Sequence, residues 1–113
     1  MTSDDRLDRA RAVYEAFASG NRGVIEASFT DDFSFSSPLD VDLDRAGYFE
    51  RCWPGSGQGQ QFDFVRLVES GDEVIVTYEM TKPDGSRGRN TEVLTFSGDR
   101  ISRTEVYFGW DLP

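Results

Sequence analysis

Hydrophobic positions in this chain follow two different rhythms. As far as Trp53 they recur every three or four residues, the spacing of one helix face; from Phe62 onward they alternate, the spacing of one strand face. Ala10, Val13, Tyr14 and Phe17 make one apolar stripe and predict a first helix. Thr2 or Ser3 can cap its start, Asp4 and Asp5 suit the positive end of its dipole, and Gly20 supplies the residue that ends it. Asn21 is placed to cap a second, short helix that carries Val24, Ile25 and Phe29 and breaks at Asp31-Asp32. Residues 33–36 alternate and predict a short strand closed by Ser37-Pro38. Asp42 is placed to cap a third helix with Leu43, Ala46, Phe49 and Trp53 on its buried face, and Pro54 stops it.

Residues 54–60, rich in glycine and glutamine, read as a flexible junction between a helical half and a sheet half. Four strands are predicted beyond it, at 62–69, 73–82, 89–96 and 101–110. The turns between them, Ser70-Gly71-Asp72, Pro83-Asp84-Gly85-Ser86 and Ser97-Gly98-Asp99, are short enough to force antiparallel neighbours, so this half is a meander. Alternation then sorts the faces. Val74, Val76, Tyr78 and Met80 share one face, as do Asn90, Glu92, Leu94 and Phe96, and Thr104, Val106, Phe108 and Trp110. These sets hold the larger apolar groups and are expected under the helices. The opposite face, with Ile75, Thr77, Val93, Thr95 and Tyr107 edged by Glu79, Arg103 and Glu105, is semi-polar. An apolar patch with a charged rim suits pairing with a second copy, so a homodimer through this outer face is expected.

The same sorting turns Glu92 inward, which is the most informative feature of the chain. Burying a phenylalanine gains roughly 1.5–3 kcal/mol. An unpaired carboxylate in a dry core costs on the order of several kcal/mol. Glu92 must therefore be paired, protonated, or facing a wet cavity.

Composition narrows the partners. The 113 residues fit one domain spanning 1–113. Nine Phe, four Tyr and two Trp imply a core or cavity walled by rings. The net charge of −9 repels phosphate backbones and anionic lipid, so neither nucleic acid nor a membrane surface is an expected partner. The chain has no histidine and a single cysteine, Cys52, which argues against a metal centre, a histidine-based triad and an internal disulfide; no cofactor is expected. The lone thiol fits a reducing cytoplasm, and the charged N-terminal stretch does not read as a signal peptide.

Several segments together resemble the nuclear transport factor 2-like superfamily near its SnoaL-like branch. They are Val13-Tyr14-Glu15-Ala16-Phe17-Ala18-Ser19-Gly20-Asn21, Phe29-Thr30-Asp31-Asp32-Phe33, Ser36-Ser37-Pro38 and Gly71-Asp72-Glu73-Val74. The ending adds Leu94-Thr95-Phe96-Ser97-Gly98-Asp99-Arg100-Ile101 and Val106-Tyr107-Phe108. The resemblance spans nearly the whole chain. It implies an α+β cone in which about three N-terminal helices pack in the concave face of a curved, mostly antiparallel sheet, leaving a hollow. Ketosteroid isomerases of this kind need an aspartate before the proline of the first strand, where this chain has Ser37. They need a tyrosine on the first helix, where Val13 is the nearest match, and an acid on the third sheet strand, which Glu92 supplies. One group of three makes that activity unexpected. Cyclases of the superfamily use Asp/His arrangements, which a chain without histidine cannot reproduce, and Asn90-x-Glu92 only faintly resembles the Arg-x-Asp of limonene-epoxide hydrolases.

The resulting expectation is a mostly apolar pocket for a small apolar or amphipathic molecule. Its candidate lining is Phe17, Phe33, Phe35, Ser37, Phe49, Trp53, Val76, Tyr78, Met80, Asn90, Leu94, Val106, Phe108 and Trp110. Glu92 is the candidate proton carrier should the pocket also perform acid/base chemistry of the isomerase, cyclase, dehydratase or hydrolase type. A third reading is a dimeric interaction module without a ligand.

Overall fold

A computed structural model describes residues 3–113, with side chains from Asp5 onward. The proposed Thr2 cap and the side chains of Ser3 and Asp4 lie outside the described residues. Helix α1 (Ser3–Ser19) ends at Gly20, whose φ of +77° is the left-handed conformation a helix terminus favours. The last carbonyls of a helix lack partners within it. Here the glycine-rich junction supplies them: Gly57 donates to the Phe17 carbonyl at 2.7 Å and Gly59 to that of Ala18 at 2.9 Å. A Cβ on Gly20 would meet the Gly57 Cα at 3.3 Å, so both positions are small because two backbones cross there. The junction is thus a helix cap rather than a free linker.

Helix α2 (Arg22–Ser28) starts at Asn21, whose side chain accepts from the Val24 N–H. It stops earlier than the spacing predicts. Ser28 Oγ donates to the Val24 carbonyl at 2.6 Å, and Phe29 already opens strand β1 (Phe29–Ser36). Phe29 sits four residues after Ile25 and four before Phe33, a spacing that suits a helix face and a strand face alike. Its ring stacks on Phe33 with centroids 3.7 Å apart, and that contact settles the choice.

The third helix also departs from expectation. Its cap is Asp44, which accepts from Gly47 at 2.7 Å, not Asp42. Asp42 adopts φ +54° in the preceding loop, where its N–H bonds Ser36 Oγ. Leu43 lies in the two-residue strand β2 (Leu43–Asp44) opposite Phe35, so it cannot belong to the helix. Helix α3 (Arg45–Arg51) buries Tyr48, while Ala46 is exposed and Trp53 has moved into a following 3-10 turn, Trp53–Gly55.

Strands β3 (Gln61–Ser70), β4 (Glu73–Thr81), β5 (Arg87–Ser97) and β6 (Arg100–Leu112) form the expected meander. The sheet runs β2-β1-β6-β5-β4-β3, and only the β1/β6 pair is parallel. Register breaks at Val65, Gly109 and Ser102 insert single residues into β3 and β6. Such bulges bend and twist the strands that carry them. Helix α1 crosses the concave side, and Ala10, Tyr14, Ile25, Phe33, Val74, Val76, Leu94 and Ile101 fuse helices and sheet into one core. No helix among the described residues is long and apolar enough to cross a membrane.

Candidate functional site

The core fills only one end of the concave side. Toward the other end the helices and sheet diverge around a hollow of about 320 Å³, at the small end of ligand cavities. Helix α1 contributes Val13, Tyr14 and Phe17, and β1 with the loop after it contributes Phe35, Ser37, Leu39 and Asp40. Tyr48, Arg51 and Cys52 come from α3 and its end, Phe62 from β3, Tyr78 and Met80 from β4, Asn90 and Glu92 from β5, and Val106 and Phe108 from β6. Tyr14, Phe62 and Tyr78 form a ring cluster with centroids 5.2–5.4 Å apart, which stiffens the wall.

On this wall lies the inward carboxylate. Tyr78 Oη donates to Glu92 Oε2 at 2.6 Å and Tyr14 Oη donates to Oε1 at 3.1 Å. Asn90 Nδ2 reaches Tyr78 Oη at 3.4 Å, and Asn90 Oδ1 accepts the Gly109 N–H at 3.2 Å. Burial raises the pKa of Glu92, and the two phenol bonds pull part of that rise back. The phenols respond in kind: burial first, then the nearby carboxylate, raises Tyr14, Tyr48 and Tyr78, so all three stay protonated. Burial and the charge of Asp40 push the Cys52 thiol up to about 11, so it is no nucleophile at neutral pH.

At the mouth, Arg51 Nε donates to Asp40 at 2.7 Å. Ser37 Oγ accepts the N–H groups of Leu39 and Asp40 and holds the loop in a tight turn. Among the described residues no three histidine, cysteine or acidic side chains come together as a metal site.

The structure brings nine of the predicted residues to the hollow: Phe17, Phe35, Ser37, Tyr78, Met80, Asn90, Glu92, Val106 and Phe108. Phe33, Val76 and Leu94 lie in the solid core instead, at no more than 1% exposure. Phe49 and Trp53 pack behind α3, Phe49 under the Arg22 guanidinium at 4.3 Å and Trp53 edge-on to Phe17. Trp110 is corrected outright. The extra residue Gly109 reverses the alternation, so Trp110 pairs with Arg89 on the outer face, and it is 61% exposed. Gly109 is required there, since a Cβ would fall 2.1 Å from the Arg89 carbonyl oxygen. Sequence reasoning missed Val13, Tyr14, Leu39, Tyr48, Cys52 and Phe62 as lining residues, and Asp40 and Arg51 at the mouth. The first helix does present a tyrosine to the inward acid, Tyr14 rather than its neighbour Val13.

The sequence matches the family described as SnoaL-like domain over residues 10–104. No curated protein matches it. Many solved structures share the fold. A Kribbella flavida protein provisionally named a ketosteroid isomerase superposes with a TM-score of 0.78 at 18% identity, covering 97% of this chain and 83% of that one. An LEH-like epoxide hydrolase from M. tuberculosis gives 0.74 at 16% identity, covering 94% and 84%. A nuclear transport factor 2-like protein of unknown function from Cytophaga hutchinsonii gives 0.75 at 15% identity, covering 92% and 89%. At such identities the likeness is one of fold.

Proposed function

We propose that this chain, which belongs to the SnoaL-like domain family, binds a small amphipathic molecule in its hollow, the apolar body against the rings and the polar end on Glu92. The observation that carries this reading is the pairing of an open, ring-walled hollow with one buried carboxylate at its wall. A domain with no use for the space would fill it, because unfilled apolar volume costs stability. It would also replace a buried acid with a hydrophobic side chain, which is commonly neutral or stabilising. The volume corresponds to about ten water molecules, which suits a body of one or two rings.

A filling substitution tests the reading. Val13→Trp projects an indole from α1 into the hollow. The neutral two-ring fluorescent dye 2-naphthol is expected to bind the native protein and to lose at least about tenfold affinity for the variant, a change of about 1.4 kcal/mol. Circular dichroism should show the fold retained. Equal dye binding by both proteins rejects the hollow as the site.

Acid/base chemistry is the second reading, favoured by the raised proton affinity of Glu92 and the two phenols aimed at it. A carboxyl group of that kind can pass a proton to or from a carbon skeleton held above it. Titration of the Glu92 carboxyl carbon by NMR checks it; a midpoint near 4 removes the tuned acid. The outer face of β3–β6 is proposed to pair with a second copy.

A further inference from the structure

We propose that the hollow selects an organic cation: a protonated primary amine carried on an apolar body, with Glu92 as its counter-ion. The inference rests on the reading that the hollow binds a small molecule and adds the chemical class. It follows from the charge and the free lone pairs of Glu92.

A phenol has one proton to give. That of Tyr14 goes to Glu92 Oε1 and that of Tyr78 to Oε2, so neither is left for a ligand. Asn90 gives one N–H to Tyr78 and accepts the Gly109 N–H, which leaves it a second N–H, and the Tyr48 phenol also lines the hollow with its proton unused; both are neutral donors. Arg51, among the described residues the one cationic group lining the hollow, gives its Nε–H to Asp40. At Glu92 itself the wall offers acceptor capacity together with charge, since a carboxylate has about four lone-pair positions and the phenols use two. A ketone or carboxylate ligand would set acceptor against acceptor. An ammonium group brings N–H donors and the charge that a desolvated carboxylate lacks.

The remaining surface points the same way. Ring faces carry negative potential and attract cations. Tyr14, Phe17, Phe35, Phe62, Tyr78 and Phe108 all line the hollow. Its ionisable lining holds the carboxylates of Glu92 and Asp40 against the single Arg51, and the whole chain carries −9. The field therefore draws cations inward and repels anions.

The groups facing Glu92 are Tyr14 from α1, Tyr78 from β4, and Tyr48 and Cys52 from α3 and its end, none of them cationic. Its cross-strand neighbour on β6 is Val106, and Phe62 approaches from β3. Asp40 and Arg51 stand at the mouth. With no cation close by, an ammonium ligand lowers the proton affinity of Glu92 as it binds. Amine binding then requires the ionised acid. It weakens up to tenfold for each pH unit below the Glu92 midpoint and levels off above it.

Calorimetry with three matched probes, 2-phenylethylamine, 2-phenylethanol and phenylacetone, between about pH 5 and 8 tests this, because an alkyl amine keeps its charge throughout that range. The amine is expected to bind at least about tenfold more tightly than the alcohol or the ketone. In Glu92→Gln the amine advantage should shrink to about twofold. Should that variant fail to fold, the pH series on the native protein carries the test. Tighter binding of the ketone or alcohol, or amine affinity that falls as pH rises, overturns the cation while leaving the hollow as a binding site. 2-Naphthol binding with no binding of any of the three probes overturns the cation equally. If 2-naphthol is excluded as well, the hollow itself is rejected.

Discussion

Tyr78 makes the shorter of the two phenol bonds to Glu92, 2.6 Å against 3.1 Å for Tyr14, and it is the phenol that Asn90 also supports. Its removal should therefore matter more. Tyr78→Phe strips one donor from a buried carboxylate, so the Glu92 pKa rises further and the fold loses about 1–3 kcal/mol. Tyr14→Phe should do the same to a smaller degree. NMR titration and guanidinium unfolding of the two variants check the order. The acid also sets a pH dependence. Burial raises its pKa in the fold above the unfolded value of about 4.3, so the folded state binds the proton more tightly. Ionised Glu92 thus costs stability, a cost absent below the unfolded pKa and complete once pH has risen through the folded one. Glu92→Gln removes the charge. The stability of that variant relative to the native protein should be higher at pH 7 than at pH 4, whatever the absolute difference. Unfolding curves at the two pH values would contradict this by showing the reverse order.

Among the elements, the sheet half was the more legible from sequence. Period-2 runs bounded by Ser-Gly-Asp turns located β3 to β6 to within a few residues and placed Glu92 inward beside Tyr78. The first helix was equally plain, because a stripe of four apolar residues ends at a glycine. Elsewhere local spacing ran out of information. Phe29 satisfied helix and strand alike, and its stacking on Phe33, four residues on in the same strand, decided between them. Asp42 and Asp44 are equivalent caps on paper; the pairing of Leu43 with Phe35 chose Asp44. The lining of the hollow was half legible for the same reason. Alternation tells which face a residue takes, but not where along the strand the helices lift away, so Val76 and Leu94 fell in the core and Met80 and Val106 at the hollow. Trp110 was lost to a bulge that no periodicity announces, although Gly109 before it is a signal of one. That bulge can be tested. Gly109→Ala drives a methyl group into the Arg89 carbonyl and should cost about 3 kcal/mol, whereas Gly59→Ala meets no neighbour and should cost about 1 kcal/mol for its φ of +68° alone. Thermal unfolding of the two variants gives the comparison directly.

At the scale of the whole molecule, the helices cover one face of the sheet and leave the other bare. Strands β3–β6 present an outer surface about 20 Å across and about 30 Å long, near the area one partner contributes to a stable interface. Its cross-strand rows follow from the register. Val68, Ile75 and Val93 form one, ending at Glu105; Thr77, Thr91 and Tyr107 form the next, with Thr77 and Thr91 hydroxyls bonded at 2.8 Å. Tyr107 is 54% exposed at the end of its row, and Trp110 extends the patch under Arg89. An acidic chain repels its own copies, so pairing must draw on apolar burial at this face, and salt should strengthen rather than weaken it. Sedimentation equilibrium is expected to find a dimer whose dissociation constant falls as sodium chloride is raised from about 20 to about 500 mM. Val93→Glu sets a carboxylate directly opposite Glu105 in the middle of the face. The variant should be monomeric at concentrations about 100-fold above the native dissociation constant while its far-ultraviolet spectrum is unchanged. Because β5 carries Val93 outward and Glu92 inward, it should also bind 2-naphthol as the native protein does; loss of dye binding on dissociation would mean that the hollow depends on the second copy for its shape.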